Sequence, residues 1–130
     1  KENGQNLKIT DRVEWRQGDY LKAFDEEDIF DGIFSNPPYI PTKDIGGLSR
    51  EVKHEPRLAL DGGTDGLYFY HLLAKGAAEH LKPGGFLAVE FGIGQATDIL
   101  EMFRKSAQYE DFEVIKDYGG IERALYCRKK

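Results

Sequence analysis

Asp31-Gly32-Ile33-Phe34-Ser35-Asn36-Pro37-Pro38-Tyr39 is the stretch on which the fold turns. Its first half, Gly32 to Ser35, reads as a short apolar strand, and its second half stops that strand abruptly. Pro37 and Pro38 lock φ and carry no N–H, so neither a helix nor a hydrogen-bonded ladder runs on through them. In open α/β sheets, ligands sit outside the carboxyl ends of the strands. A strand running straight into a stiff corner therefore marks a candidate site.

Around this stretch, strands and helices alternate. Upstream, Val13 to Gln17 reads as a strand that ends at Gly18-Asp19-Tyr20, and Asp25 to Asp28 as a solvated turn or short helix. Downstream, residues 40–64 show little periodicity, and loops of that length in a domain are usually lids or binding segments. Tyr70, Leu73, Ala74, Ala77 and Leu81 then fall on one helical face. Asp65 is the expected N-cap and Lys82-Pro83-Gly84-Gly85 the stop. Gly76 inside that helix costs about 1 kcal/mol relative to Ala, which packing must offset.

Phe86 to Val89 is a continuous apolar run, as in a strand covered on both faces. Ala96, Ile99, Leu100, Phe103 and Ala107 repeat the helical spacing. Phe112 to Lys116 and Arg123 to Arg128 read as antiparallel neighbours joined at Gly119-Gly120. The order predicts one α/β unit over residues 1–130, its sheet mostly parallel with one antiparallel strand near an edge.

Composition narrows the function classes. With 18 basic and 23 acidic residues the formal charge is −5, which argues against tight binding to a nucleic-acid backbone. Cys127 is the single cysteine, so no internal disulfide forms and a reducing cytoplasmic setting is expected. No apolar run approaches the roughly 20 residues that span a bilayer. The opening Lys1-Glu2-Asn3-Gly4, without an initiator Met, reads as the end of a helix capped at Gly4, so a piece of a longer domain is expected.

The corner has a definite chemistry. The Asn36 side-chain carbonyl is a neutral acceptor, the prolines aim the turn's carbonyls in a fixed direction, and Tyr39 adds a flat wall. Acceptors beside an aromatic face suit a planar –NH2 group. Its nitrogen is a poor nucleophile, because the lone pair is delocalised. Accepting hydrogen bonds from both N–H groups raises its electron density, orients it toward a sulfonium methyl group and stabilises the positive charge that develops. The bland alternative is a rigid surface turn. Asn36, Pro37 and Tyr39 are the candidates for the catalytic work, and Asn36 with Pro37, Pro38 and Tyr39 for substrate binding.

These residues resemble the Asn-Pro-Pro-Tyr acceptor motif of amino-methyltransferases, which include adenine-N6 and glutamine-N5 enzymes. The wider chain resembles the HemK/PrmC type, the protein-(glutamine-N5) methyltransferases of peptide chain release factors. The matching stretches include Gly18-Asp19-Tyr20, the corner with Ile40-Pro41, Glu55-Pro56-Arg57-Leu58-Ala59-Leu60-Asp61-Gly62-Gly63 and Asp117-Tyr118-Gly119-Gly120 with Arg123. The resemblance implies a Rossmann-like fold and S-adenosylmethionine as cofactor. It implies a release-factor Gly-Gly-Gln loop as partner, with no membrane and no direct nucleic acid. Asp19 and Tyr20 would sit at the adenine, Asn36 would touch cofactor and substrate, and Pro37 to Tyr39 would line the glutamine pocket.

The family's Gly-rich loop and acidic ribose ligand would lie upstream of Lys1, with the first two strands. Gly92-Ile93-Gly94 and Gly62-Gly63 lack the spaced pattern that would replace that loop. Weak or absent cofactor binding and no turnover are therefore expected of this chain alone. The strand at Val13–Gln17 would lose its neighbour, so a displaced strand or a strand-exchanged dimer is expected. Trp15 reads as core, Cys127 as a small buried apolar residue, Glu55 as structural, and Glu90 as a solvated or paired carboxylate. His54, His71 and His80 lack metal-ligand spacing. An adenine-N6 nucleic-acid enzyme and a non-catalytic binding module of the same fold remain the alternatives.

Overall fold

The apolar run before the prolines forms β1 (Phe30–Ser35), which pairs in parallel with β2 (Leu81–Glu90). The structure, a computed structural model, describes residues 11–47 and 60–130. Two helices follow the predicted apolar faces, α1 (Tyr68–Gly76) and α2 (Ala96–Lys105). The chain closes with the hairpin β3 (Tyr109–Lys116) and β4 (Glu122–Lys129). The sheet order is β1-β2-β4-β3.

The expectation of a mostly parallel sheet is wrong. Among the described strands only β1 and β2 pair in parallel, while β2 with β4 and β3 with β4 pair antiparallel. The hairpin folds its second strand back into the slot between β2 and β3. The single reversed strand is therefore interior, not at an edge, and contributes two antiparallel pairings.

One face of the sheet is the core. Ile33, Leu87, Val89, Leu125 and Cys127 point to it and meet Tyr70, Leu73, Ile99 and Phe103 from the helices. All five residues of the first predicted helical face are buried. The helix itself is shorter than predicted, because residues Ala77–His80 tighten into a 3₁₀ turn that leads straight into β2. Gly76 is the last α-helical residue rather than an interior one, and a Cβ there would lie 3.0 Å from Leu21 Cδ1. Its missing side chain lets the 3₁₀ turn Tyr20–Ala23 pack against α1. Asp65 accepts the Leu67 N–H at 2.9 Å in a turn ahead of α1 and does not cap the helix. Ala107 is exposed just past α2, at φ 60°, and lies outside the second apolar face.

Val13–Gln17 forms no strand. Val13 and Trp15 are 36% and 39% exposed, so Trp15 is not core, and Arg16 instead reaches the Asp28 carboxylate. An isolated extended segment needs a partner edge, and this one pairs with none among the described residues. Gly4, His54, Glu55 and the Pro56-Arg57-Leu58-Ala59 run lie outside the described residues. Among those described, no helix is long and apolar enough to cross a membrane.

Candidate functional site

Asn36 leaves β1 at its carboxyl end, exposed, and Pro37 behind it is buried. Pro38 and Tyr39 are half-buried, and two glycine-bearing segments clamp them. The Gln95 amide bridges one side, donating to the Tyr39 carbonyl at 3.1 Å and accepting the Gly92 N–H at 2.8 Å. A Cβ on Gly92 would stand 2.7 Å from the Tyr39 ring. A Cβ on Gly66, whose φ is +80°, would stand 2.4 Å from the same Tyr39 carbonyl oxygen and 3.1 Å from Gln95 Nε2. The Ile40 N–H donates to the Leu60 carbonyl at 3.1 Å, and the Gly62 N–H to the Ile40 carbonyl at 2.8 Å. Thr42 Oγ1 donates to Asp61 Oδ1 at 2.7 Å.

The clamp leaves Asn36 exposed. Among the described residues nothing donates a hydrogen bond to the Asn36 side chain or the Pro37 carbonyl. Asn36 lines an open cavity of about 530 Å³ together with Phe34, Ser35, Ala88, Val89, Glu90, Ile115 and Ala124. The Glu90 carbonyl accepts the Tyr70 O–H at 2.6 Å, which pins the end of β2. Burial pushes the Tyr70 phenol well above the ordinary range, so this donor stays protonated.

Tyr20 comes close to the corner and Asp19 does not. Tyr20 stands at φ 57°, and its hydroxyl meets Ser35 Oγ, one residue before Asn36, at 2.5 Å. Its ring packs on Phe69 with centroids 4.9 Å apart. Burial raises the phenol, and the Ser35 hydrogen bond opposes that shift in part. Asp19 is exposed and faces Lys22 at 3.7 Å. It lines, with Tyr20, Lys22, Tyr68 and Glu79, a separate groove of about 370 Å³. Asp19 and Asn36 thus open on different hollows.

The chain is similar over its whole length to the release factor glutamine methyltransferase of Moorella thermoacetica, 41% identical over 130 residues, covering 46% of that protein. The corresponding protein of Geobacter sulfurreducens is 53% identical over 97 residues, 74% of this chain and 34% of the relative. The chain belongs to the release factor glutamine methyltransferase family. It spans about half the length of the curated relatives it matches. In the solved protein-(glutamine-N5) methyltransferase (release factor-specific) of Alicyclobacillus acidocaldarius, 50% of the chain superposes on 78% of this one, with a TM-score of 0.51 and 25% identity. No family model matches the chain.

Several groups at this family member's corner carried no sequence signal of their own. Ser35 was readable only as a strand residue, and Gln95 drew no reading, falling one residue ahead of the second apolar face. Glu90 does remain solvated, as expected, yet it also lines the cavity of Asn36. The row partners of a parallel and an antiparallel pairing decide that neighbourhood, and no local pattern states them.

Proposed function

We propose that this chain carries the acceptor site of an S-adenosylmethionine-dependent enzyme that methylates N5 of a glutamine side chain in peptide chain release factors. One observation carries the reading. The Asn36-Pro37-Pro38-Tyr39 corner, at the carboxyl end of β1, keeps the Asn36 carbonyl free beside a cavity in a member of this family.

S-Adenosylmethionine, when bound, supplies an electrophilic methyl group on sulfur. Asp19, Tyr20 and Asn36 are the residues here that would hold it. An exposed carboxylate suits an exocyclic amine and an aromatic ring suits a purine face, so part of the required donor set fits. Asn36 Oδ1 and the Pro37 carbonyl would accept the two N–H groups of the glutamine amide, making its nitrogen more electron-rich and fixing its direction. Tyr39, whose carbonyl Gln95 holds and whose ring lies close against Gly92, would bound the flat amide on its side. The same two oxygens stabilise positive charge on nitrogen as it forms. The N-methylated cation is strongly acidic and gives its proton to solvent. The single buried thiol suits the cytoplasm as setting.

The test is methyl transfer from labelled S-adenosylmethionine to a release factor by the full-length gene product. Asn36→Ala is expected to lower turnover at least about 100-fold, the effect of losing one preorganised polar contact. Near-normal turnover would remove Asn36 from the chemistry.

A further inference from the structure

The β3–β4 turn displays apolar side chains that the described fold does not use. Tyr118 is fully exposed, and Ile115 and Ile121 beside it are 44% and 38% exposed. On a loose loop this would mean little, but the turn is fixed from within. Asp117 Oδ1 accepts the N–H groups of Gly119 and Ile121 at 2.8 and 3.0 Å, and Oδ2 accepts Arg123 Nε at 3.0 Å. The Asp117 N–H donates to the Ile121 carbonyl at 2.9 Å, and Gly120 closes the turn at φ +80°. A fixed turn that presents an aromatic ring loses little conformational freedom when that ring is covered.

The turn rises from the sheet edge that carries Asn36. Ser35 faces Val89 in the register; one step further Glu90 faces Ala124, which faces Ile115. Ile115 and Ala124 line the same cavity as Asn36. With neighbouring strands about 4.8 Å apart, β4 and β3 stand roughly 10 and 14 Å from β1. An extended polypeptide covers that span in about three to five residues, at ~3.3 Å each.

The geometry points to the β3–β4 turn, with Tyr118 at its tip and Ile121 beside it, as the docking element for residues that flank the acceptor amide in a protein substrate. This inference rests on the reading of the Asn36 corner as the acceptor site. The cavity of Asn36 reaches as far as Ile115 and Ala124, at the strand ends from which the turn rises, and its lining is mostly apolar. Glu90, Asp117 and Glu122 outnumber Lys116 and Arg123 at this edge, and with the formal charge of −5 this gives no basic surface for a nucleic-acid backbone. Tyrosine is also among the residue types that dominate protein interfaces.

Steady-state methylation of an intact release factor by the full-length gene product separates the outcomes. Tyr118→Ala is expected to raise KM for the protein acceptor about tenfold, with kcat and S-adenosylmethionine affinity within about twofold. Tyr118→Phe keeps the aromatic face and is expected to keep the original KM. The side chain lies wholly in solvent, so thermal unfolding of both variants should match that of the unsubstituted protein. An unchanged KM in Tyr118→Ala, with transfer proceeding, overturns the docking role, and so does a loss confined to kcat. Absence of transfer by the unsubstituted protein overturns the acceptor reading itself, and this inference with it.

Discussion

Cys127 pairs with Leu87 across β2 and β4 and is buried in the core. Burial penalises the thiolate, and the thiol is pushed up to about 12 from 9.0. The consequence for stability has a definite sign. Below pH 9 the thiol is protonated in both folded and unfolded chains and contributes nothing to the pH dependence. Between pH 9 and about 12 the unfolded chain loses this proton and the folded one keeps it, so stability falls as pH rises. The buried phenols of Tyr70 and Tyr109, raised by desolvation, act in the same direction. Urea midpoints are expected to hold steady from pH 7 to 8.5 and to fall by pH 10.5; a flat profile through 10.5 would refute this. Ser35 offers a second test at this scale. Its hydroxyl is the link between Tyr20 and the residue before Asn36. Ser35→Ala leaves the Tyr20 hydroxyl without that partner in a half-buried position, at a cost of about 1 kcal/mol in denaturant unfolding. If Tyr20 is held for the cofactor, the full-length gene product also loses several-fold in S-adenosylmethionine affinity. Loss of stability without loss of affinity would make the link purely structural.

Packing of elements onto Tyr39 relies on the absence of side chains at Gly66 and Gly92. Gly66 stands at φ +80°, and any Cβ there meets the Tyr39 carbonyl, which Gln95 already holds. Backbone cannot yield as a flexible side chain does, so Gly66→Ala is expected to cost about 1–3 kcal/mol, read as a lower denaturation midpoint. A change within 0.5 kcal/mol would mean that the clamp is loose. The elements themselves were unevenly legible in the sequence. The first helical face was readable from Tyr70 to Leu81 because periodicity reports burial on one side of a helix. The terminal hairpin was readable because Gly119-Gly120 leaves so little chain between its strands. Val13–Gln17 was misread because alternation describes the faces a strand would have, not whether a partner edge exists. The position of β4 between β2 and β3 was hidden for a related reason: hairpin partnership is local, whereas the slot it enters is set by the rest of the sheet. At the corner, the stiffness of Pro37 and Pro38 was legible, but the grip of Gln95 on the Tyr39 carbonyl joins residues 56 apart in sequence.

Seen as a whole, the described molecule has a covered face and a bare one. The helices lie over Ile33, Leu87 and Leu125, whereas Phe34 on the opposite face is 79% exposed and stacks edge-on against Phe86. The two hollows that the proposed cofactor residues line are also distinct, one holding Asp19 and Tyr20 and the other Asn36. A ligand reaching from one to the other would touch a carboxylate, a ring edge and an amide. Gly92-Ile93-Gly94, the glycine pair that does precede a helix here, lacks the third spaced glycine of a nucleotide-binding turn. Three contacts open to solvent are few against the translational and rotational freedom a small ligand gives up on binding, commonly several kcal/mol. The 130-residue chain by itself is therefore expected to bind S-adenosylmethionine weakly and to transfer no methyl group. Titration calorimetry with the chain at tens of micromolar should give no saturable heat, while the full-length gene product under the same conditions should. Saturable low-micromolar binding to the 130-residue chain would mean that Asp19, Tyr20 and Asn36 converge on one ligand after all, and the separation of the two hollows would have to close in solution.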